Sequence, residues 1–220
     1  MKEDHDAGAR ILLTAGAPLG EAQAALILCH GRGSTAEDIL GLAAEIEIPG
    51  FAFIAPQAPG GVWYPNSFLR PAEENEPWLS RSLNVVAALI REARQAGLPA
   101  DRVMLAGFSQ GACLALECAA RNPGRMGGIV GLSGGLMGPP GSLWSGPGDY
   151  QGTPVFLGCS ANDPFIPRSR VEESAGFFRA RNARVTVRLY PGNLHGVEQD
   201  ELNVFRGMMM EVVGASRPRS

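Results

Sequence analysis

Short apolar runs alternate along this chain with longer stretches whose apolar residues recur at helical spacing. Arg10 to Ala15 (RILLTA) and Ala24 to His30 (AALILCH) read as strands on either side of an Ala17-Pro18-Leu19-Gly20 turn. From Thr35 to Ile46 the period changes. Ile39, Leu42, Ala43 and Ile46 share one face, and Glu37 and Asp38 sit in the first turn, where the helix dipole favours acids. The alternation continues with a strand at Phe51 to Ala55 and a helix from Trp78 to Ala96, stopped by Gly97. A strand at Arg102 to Phe108 precedes a helix at Gln110 to Arg121, and a strand at Gly128 to Leu132 follows. The last elements are a strand at Val155 to Cys159, a helix at Arg168 to Asn182, a strand at Arg184 to Tyr190 and a helix at Val197 to Val213. Two irregular segments rich in Gly and Pro, Gln57 to Pro77 and Gly134 to Gly152, interrupt the pattern.

Several of these strands are apolar throughout rather than alternating, as strands buried on both faces of a parallel sheet must be. The expected fold class is therefore α/β, a mostly parallel, doubly wound sheet with helices on both faces. A chain of 220 residues suits one domain, expected over 1–220, with a polar leader at 1–9 and a tail at 215–220. Ligands in such sheets bind beyond the carboxyl ends of the strands, so those positions are where chemistry is sought.

Composition narrows the partners. The formal net charge is −3, and no block of Lys or Arg stands out, so neither nucleic acid nor an anionic membrane surface is expected. The start, MKEDHDAGAR, has no apolar h-region, and no apolar run approaches the roughly 18 residues of a membrane span. Cys29, Cys113, Cys118 and Cys159 each lie in an apolar stretch without a CxxC pair. They read as buried free thiols of a reducing, cytoplasmic compartment.

After the strand at 102–108 comes Gly107-Phe108-Ser109-Gln110-Gly111, a G-x-S-x-G turn with an apolar strand before it and a helix after it. Such a turn lifts the Ser109 hydroxyl above the sheet and puts it at a helix N-terminus. A serine hydroxyl needs a neighbouring base. Of the three histidines, His5 lies in the polar leader and His30 ends an early strand. His195 lies in the loop after the last strand, where the order nucleophile–acid–histidine requires it. Asp163, directly after the strand at 155–159, is the candidate acid. Asp149 precedes that strand, and Asp200 falls inside the last helix. The candidate oxyanion donors are the backbone N–H groups of Gln110 and of Arg32, the latter in Cys29-His30-Gly31-Arg32-Gly33-Ser34. His30 is then a brace for that loop. Neither a G-x-x-x-x-G-K-[ST] nor a G-x-G-x-x-G pattern is completed, so no nucleotide cofactor is expected.

Trp63, Tyr64 and Phe68 in the first irregular segment, and Leu136 in the second, are candidate substrate contacts; for Trp63 and Tyr64, anchoring of the loop to the core is an equal reading. Arg70 reads either as a contact for an anionic substrate group or as a solvated loop arginine. Val204, Phe205, Met208 and Val212 in the last helix face either the core or a partner, which leaves monomer or homodimer open.

These pieces together resemble the phospholipase/carboxylesterase group of α/β-hydrolases, which includes the acyl-protein thioesterases and small bacterial carboxylesterases. The resemblance rests on His30-Gly31-x-Gly33, Ala55-Pro56, Gly107-Phe108-Ser109-Gln110-Gly111, Asp163-Pro164-x-x-Pro167 and His195-Gly196. It implies an α/β-hydrolase fold without a large cap domain, and a metal-free, cofactor-free cytoplasmic enzyme. That enzyme would cleave small-molecule esters or thioesters through an acyl-enzyme intermediate. The stretch Trp63-Tyr64-Pro65-Asn66-Ser67-Phe68 departs from the acyl-protein thioesterases proper and is more similar to a bacterial subgroup. A non-hydrolytic member of the fold, a ligand-binding scaffold or a lyase, is the competing reading.

Overall fold

The apolar runs assemble into one seven-stranded sheet of order β1-β3-β2-β4-β5-β6-β7. The computed structural model describes residues 11–142, 144 and 148–214. The strands are β1 (Leu12–Gly16), β2 (Ala24–Cys29), β3 (Phe51–Pro56), β4 (Val103–Phe108), β5 (Gly128–Leu132), β6 (Pro154–Ser160) and β7 (Arg184–Tyr190). All neighbours pair in parallel except β1, which runs antiparallel along β3. The helices are α1 (Ala36–Glu45), α2 (Trp78–Gln95), α3 (Gln110–Arg121), α4 (Arg168–Arg179) and α5 (Gln199–Gly214). The expected leader at 1–9 and tail at 215–220 lie outside the described residues.

Alternate residues of the central strands feed two cores. Ala25, Ile27 and Cys29 of β2 pack with α2, α3 and α4 on one face of the sheet. Ala24, Leu26 and Leu28 pack with α1 and α5 on the other. This two-sided burial is why the strand reads as a continuous apolar run. The last helix belongs to this second core through Leu202, Phe205, Met209 and Val212, with Val204 and Met208 partly buried against it.

Helix ends follow local chemistry. Thr35 caps α1 in a reciprocal capping box with Asp38. Gly97 (φ +100°) ends α2, with its N–H on Arg94 O and the Leu98 N–H on Ala93 O. All four cysteines are free and buried. Burial pushes the Cys113, Cys118 and Cys159 thiols up to about 12 and raises Cys29 further, so all stay protonated at neutral pH. Among the described residues, no helix is long and apolar enough to cross a membrane.

Candidate active site

The carboxyl ends of β2, β4, β5, β6 and β7 point to one rim of the sheet, and the chain leaving each of them contributes to one site. The turn after β4 brings main chains into contact. A Cβ on Gly107 would strike the Gly111 carbonyl, and one on Gly111 would strike the carbonyls of Cys29 and His30. Between these glycines Ser109 is held at φ 53°, ψ −119°, a strained conformation that typically costs a non-glycine residue about 1–3 kcal/mol. Its N–H donates to Leu132 O (2.9 Å), and its carbonyl accepts the Cys113 N–H (3.0 Å). The side chain thus stands at the first turn of α3.

His195 comes from the loop after β7. Its Nε2 lies 2.8 Å from Ser109 Oγ, and its Nδ1 lies 2.8 Å from Asp163 Oδ2. An ionised carboxylate can only accept, so Nδ1 carries the hydrogen and Nε2 is left to accept from the serine hydroxyl. The Asp163 side chain is fully buried. Its Oδ1 accepts the N–H groups of Phe165 (2.8 Å) and Ile166 (3.0 Å), and the Cys159 thiol approaches Oδ2 at 3.7 Å. The His195 ring lies between Phe108 and Phe165, at centroid distances of 5.2 and 4.9 Å.

Two serines that the sequence did not single out hold the histidine loop. Ser160 Oγ donates to Leu194 O (2.6 Å) and Ser133 Oγ to Gly196 O (3.1 Å), one on each side of His195. Ser133 adopts a positive φ of 49° just after β5. A single serine after a strand carries no periodic or motif signal, so only the fold reveals the pair.

The loop after β2 is pressed against this turn. A Cβ on Gly31 would sit 3.2 Å from the Phe108 ring and 3.6 Å from Ser109 Cβ. His30 is buried, and burial lowers its pKa. Its Nδ1 lies 2.7 Å from Gly31 O, and its Nε2 accepts the Ala58 N–H at 3.1 Å. That is a neutral imidazole used as a brace. Among the described residues, neither the Arg32 N–H nor the Gln110 N–H donates to a protein acceptor; for Gln110, the first residue of α3, the helix itself supplies none.

A cavity of about 470 Å³ opens over Ser109 and His195. Tyr64, Phe68, Phe165 and Ile166 supply apolar wall, and Arg32, Asn66 and Ser67 supply polar wall. The four residues expected to contact substrate therefore divide. Tyr64 and Phe68 line the cavity; Trp63 and Leu136 do not. The Trp63 indole N–H is taken by His30 O at 2.8 Å, and its ring lies tilted against the His30 imidazole at a centroid distance of 4.8 Å. Leu136 is fully buried, and its N–H is held by Ser174 Oγ at 2.9 Å. Arg70 lies off the cavity in an exposed pair with Glu74 at 3.0 Å. Among the described residues, no group of three or more His, Cys, Asp or Glu side chains converges as a metal site would require.

Residues 15–209 match the phospholipase/carboxylesterase family. The chain belongs to that family. It is a serine hydrolase of the carboxylesterase and thioesterase type. A solved phospholipase/carboxylesterase from Dyadobacter fermentans is 38% identical, with a TM-score of 0.87 over 92% of this chain and 97% of that one. Acyl-protein thioesterase 1 of Yarrowia lipolytica is 31% identical, covering 65% of this chain and 70% of that protein. Acyl-protein thioesterase 1 of Saccharomyces cerevisiae is 28% identical, covering 86% and 93%. The family fold is the α/β-hydrolase sheet described above, and this phospholipase/carboxylesterase member carries no large cap among its described residues.

Proposed function

We propose that the chain hydrolyses small-molecule carboxylic esters or thioesters through a Ser109–His195–Asp163 triad. The observation that carries this reading is the unbroken chain of 2.8 Å contacts from Ser109 Oγ through His195 to Asp163. As Ser109 Oγ attacks the acyl carbon, its proton passes to His195 Nε2. Asp163 accepts the Nδ1–H, holds the ring and stabilises the imidazolium. The oxyanion of the tetrahedral intermediate is met by the Arg32 and Gln110 amides, which have no other protein acceptor among the described residues. His195 then protonates the leaving alcohol or thiol, and an acyl-Ser109 ester remains. Water, deprotonated by His195, attacks that ester and returns the acid and the free hydroxyl.

Tyr64, Phe68 and Ile166 suit a short or medium acyl chain. The yeast relatives named for thioester cleavage make thioesters part of the proposed range. Four buried free thiols suit a reducing compartment such as the cytoplasm. The test is turnover of p-nitrophenyl acetate and butyrate. Wild type is expected to turn over, and Ser109→Ala to lose at least about 10³-fold in kcat. A fluorophosphonate should label wild type at Ser109 alone. Equal slow release by both proteins, without labelling, would overturn the reading.

A further inference from the structure

Arg32 is the one permanently charged side chain among the residues lining the cavity, and no acid lines it. Its Nη2 donates to Tyr64 O (2.9 Å) and to Asn66 O (3.0 Å), which uses both hydrogens of that nitrogen. Among the described residues no carboxylate pairs with it, and its Nε and Nη1 hydrogens have no protein acceptor. The two carbonyls that hold it are themselves fixed. Gln110 Nε2 donates to Tyr64 O at 2.7 Å, the Trp63 N–H to Gln110 Oε1 at 3.1 Å, and the Asn66 N–H to Asn75 Oδ1 at 2.8 Å. Arg32 is exposed, but where a lone surface arginine samples many rotamers, this one lines the cavity and is anchored by one nitrogen on two carbonyls. Arg70 is the contrast: it has a carboxylate of its own and is not among the residues lining the cavity.

We infer that the Arg32 guanidinium determines specificity by binding an anionic group, a carboxylate or phosphate, on the ester or thioester substrate. The inference rests on the hydrolase reading above and adds its substrate class. A planar guanidinium matches the two oxygens of such an anion, and anchoring in advance reduces the ordering cost of binding. The N-terminus of α3, beside Ser109, adds potential of the same sign. Nothing acidic on the cavity wall offsets either contribution.

The test compares matched pairs of esters that differ only in charge. With the anion on the acyl side, these are mono-p-nitrophenyl glutarate and its methyl ester. With the anion on the alcohol side, they are p-carboxyphenyl butyrate and its methyl ester. In at least one pair, the ratio of kcat/KM for anionic over neutral substrate should fall about tenfold in Arg32→Gln, chiefly through KM. Arg32→Lys should retain part of the preference, and raising the ionic strength should erode it in wild type but not in Arg32→Gln. If Arg32 only braces Tyr64 and Asn66, both members of each pair fall together and the ratio does not move, which overturns the inference. Turnover of the neutral esters by wild type reports separately on the hydrolase reading. Should that fail, glutarate still tests the anion site: it should raise the Tm of wild type more than that of Arg32→Gln. Equal shifts, or none, would reject it.

Discussion

Asp163 and Glu201 are both buried carboxyls close to β6, and their surroundings differ. Asp163 has a partner for each oxygen: two backbone amides on Oδ1, and His195 on Oδ2. Glu201, near the start of α5, is equally hidden. Its Oε2 accepts the Glu198 N–H at 2.7 Å, but Oε1 has no hydrogen-bond partner among the described residues and presses against Gly158. Burial, with Glu198 and Asp200 nearby, pushes Glu201 up to about 7. Depth therefore does not decide what a buried carboxyl does. The placement of donors makes one an oriented acceptor for an imidazole, and leaves the other a group that resists ionising.

The most severe way to break this comparison is Asp163→Asn. The amide oxygen can still accept from Phe165 and Ile166, but its NH₂ faces His195 Nδ1 and favours the wrong tautomer. We expect kcat to fall by about 10³–10⁴-fold with little change in the melting temperature. Comparable activity in the variant would remove Asp163 from the mechanism.

Glu201 sharpens the other side of the comparison. An acid whose folded pKa lies above its unfolded value binds its proton more tightly when folded. Its contribution to stability is thus greatest at low pH and is lost as pH rises from about 4.5 through about 7. That loss amounts to about 2–3 kcal/mol by pH 8. Urea unfolding at pH 5 and pH 8 should show it in wild type, and Glu201→Gln should flatten the difference. A variant with the wild-type slope would place the titration elsewhere.

The smallest expected effect concerns the supports of the histidine loop. Ser160→Ala removes the 2.6 Å bond to Leu194 O, and should lower kcat about tenfold while leaving KM nearly unchanged. Ser133→Ala, with its longer 3.1 Å bond to Gly196 O, should cost less. Equal losses in KM and kcat would argue for general loosening rather than positioning of His195.

Much of this arrangement was legible in the sequence. Strands buried on both faces announce themselves as apolar runs, and every expected strand and helix forms, with ends displaced by a few residues. Ser109, Asp163 and His195 could be singled out as candidates because each follows a strand in a fixed order, and the fold brings the three within hydrogen-bond reach of one another. Sidedness was not legible. Trp63 and Tyr64 are neighbours in one irregular segment, yet the cavity takes Tyr64 while the His30 carbonyl takes the Trp63 indole. No spacing rule distinguishes them, because the choice depends on hydrogen bonds to residues more than thirty positions away. The guanidinium of Arg32 was hidden for the same reason: its two acceptors belong to a loop distant in the chain.

The near-collision of Gly111 with the carbonyls of Cys29 and His30 has a consequence for how such a site can diversify. It sets the distance between two main-chain segments without the help of any side chain. In the proposed mechanism Arg32 stabilises charge through its amide, which every residue except proline possesses, while its side chain meets the substrate. A lineage can therefore exchange the residue at that position and acquire a different clientele of esters, while the chemistry is inherited unchanged. Replacing the absent Cβ of Gly111 grants no such freedom.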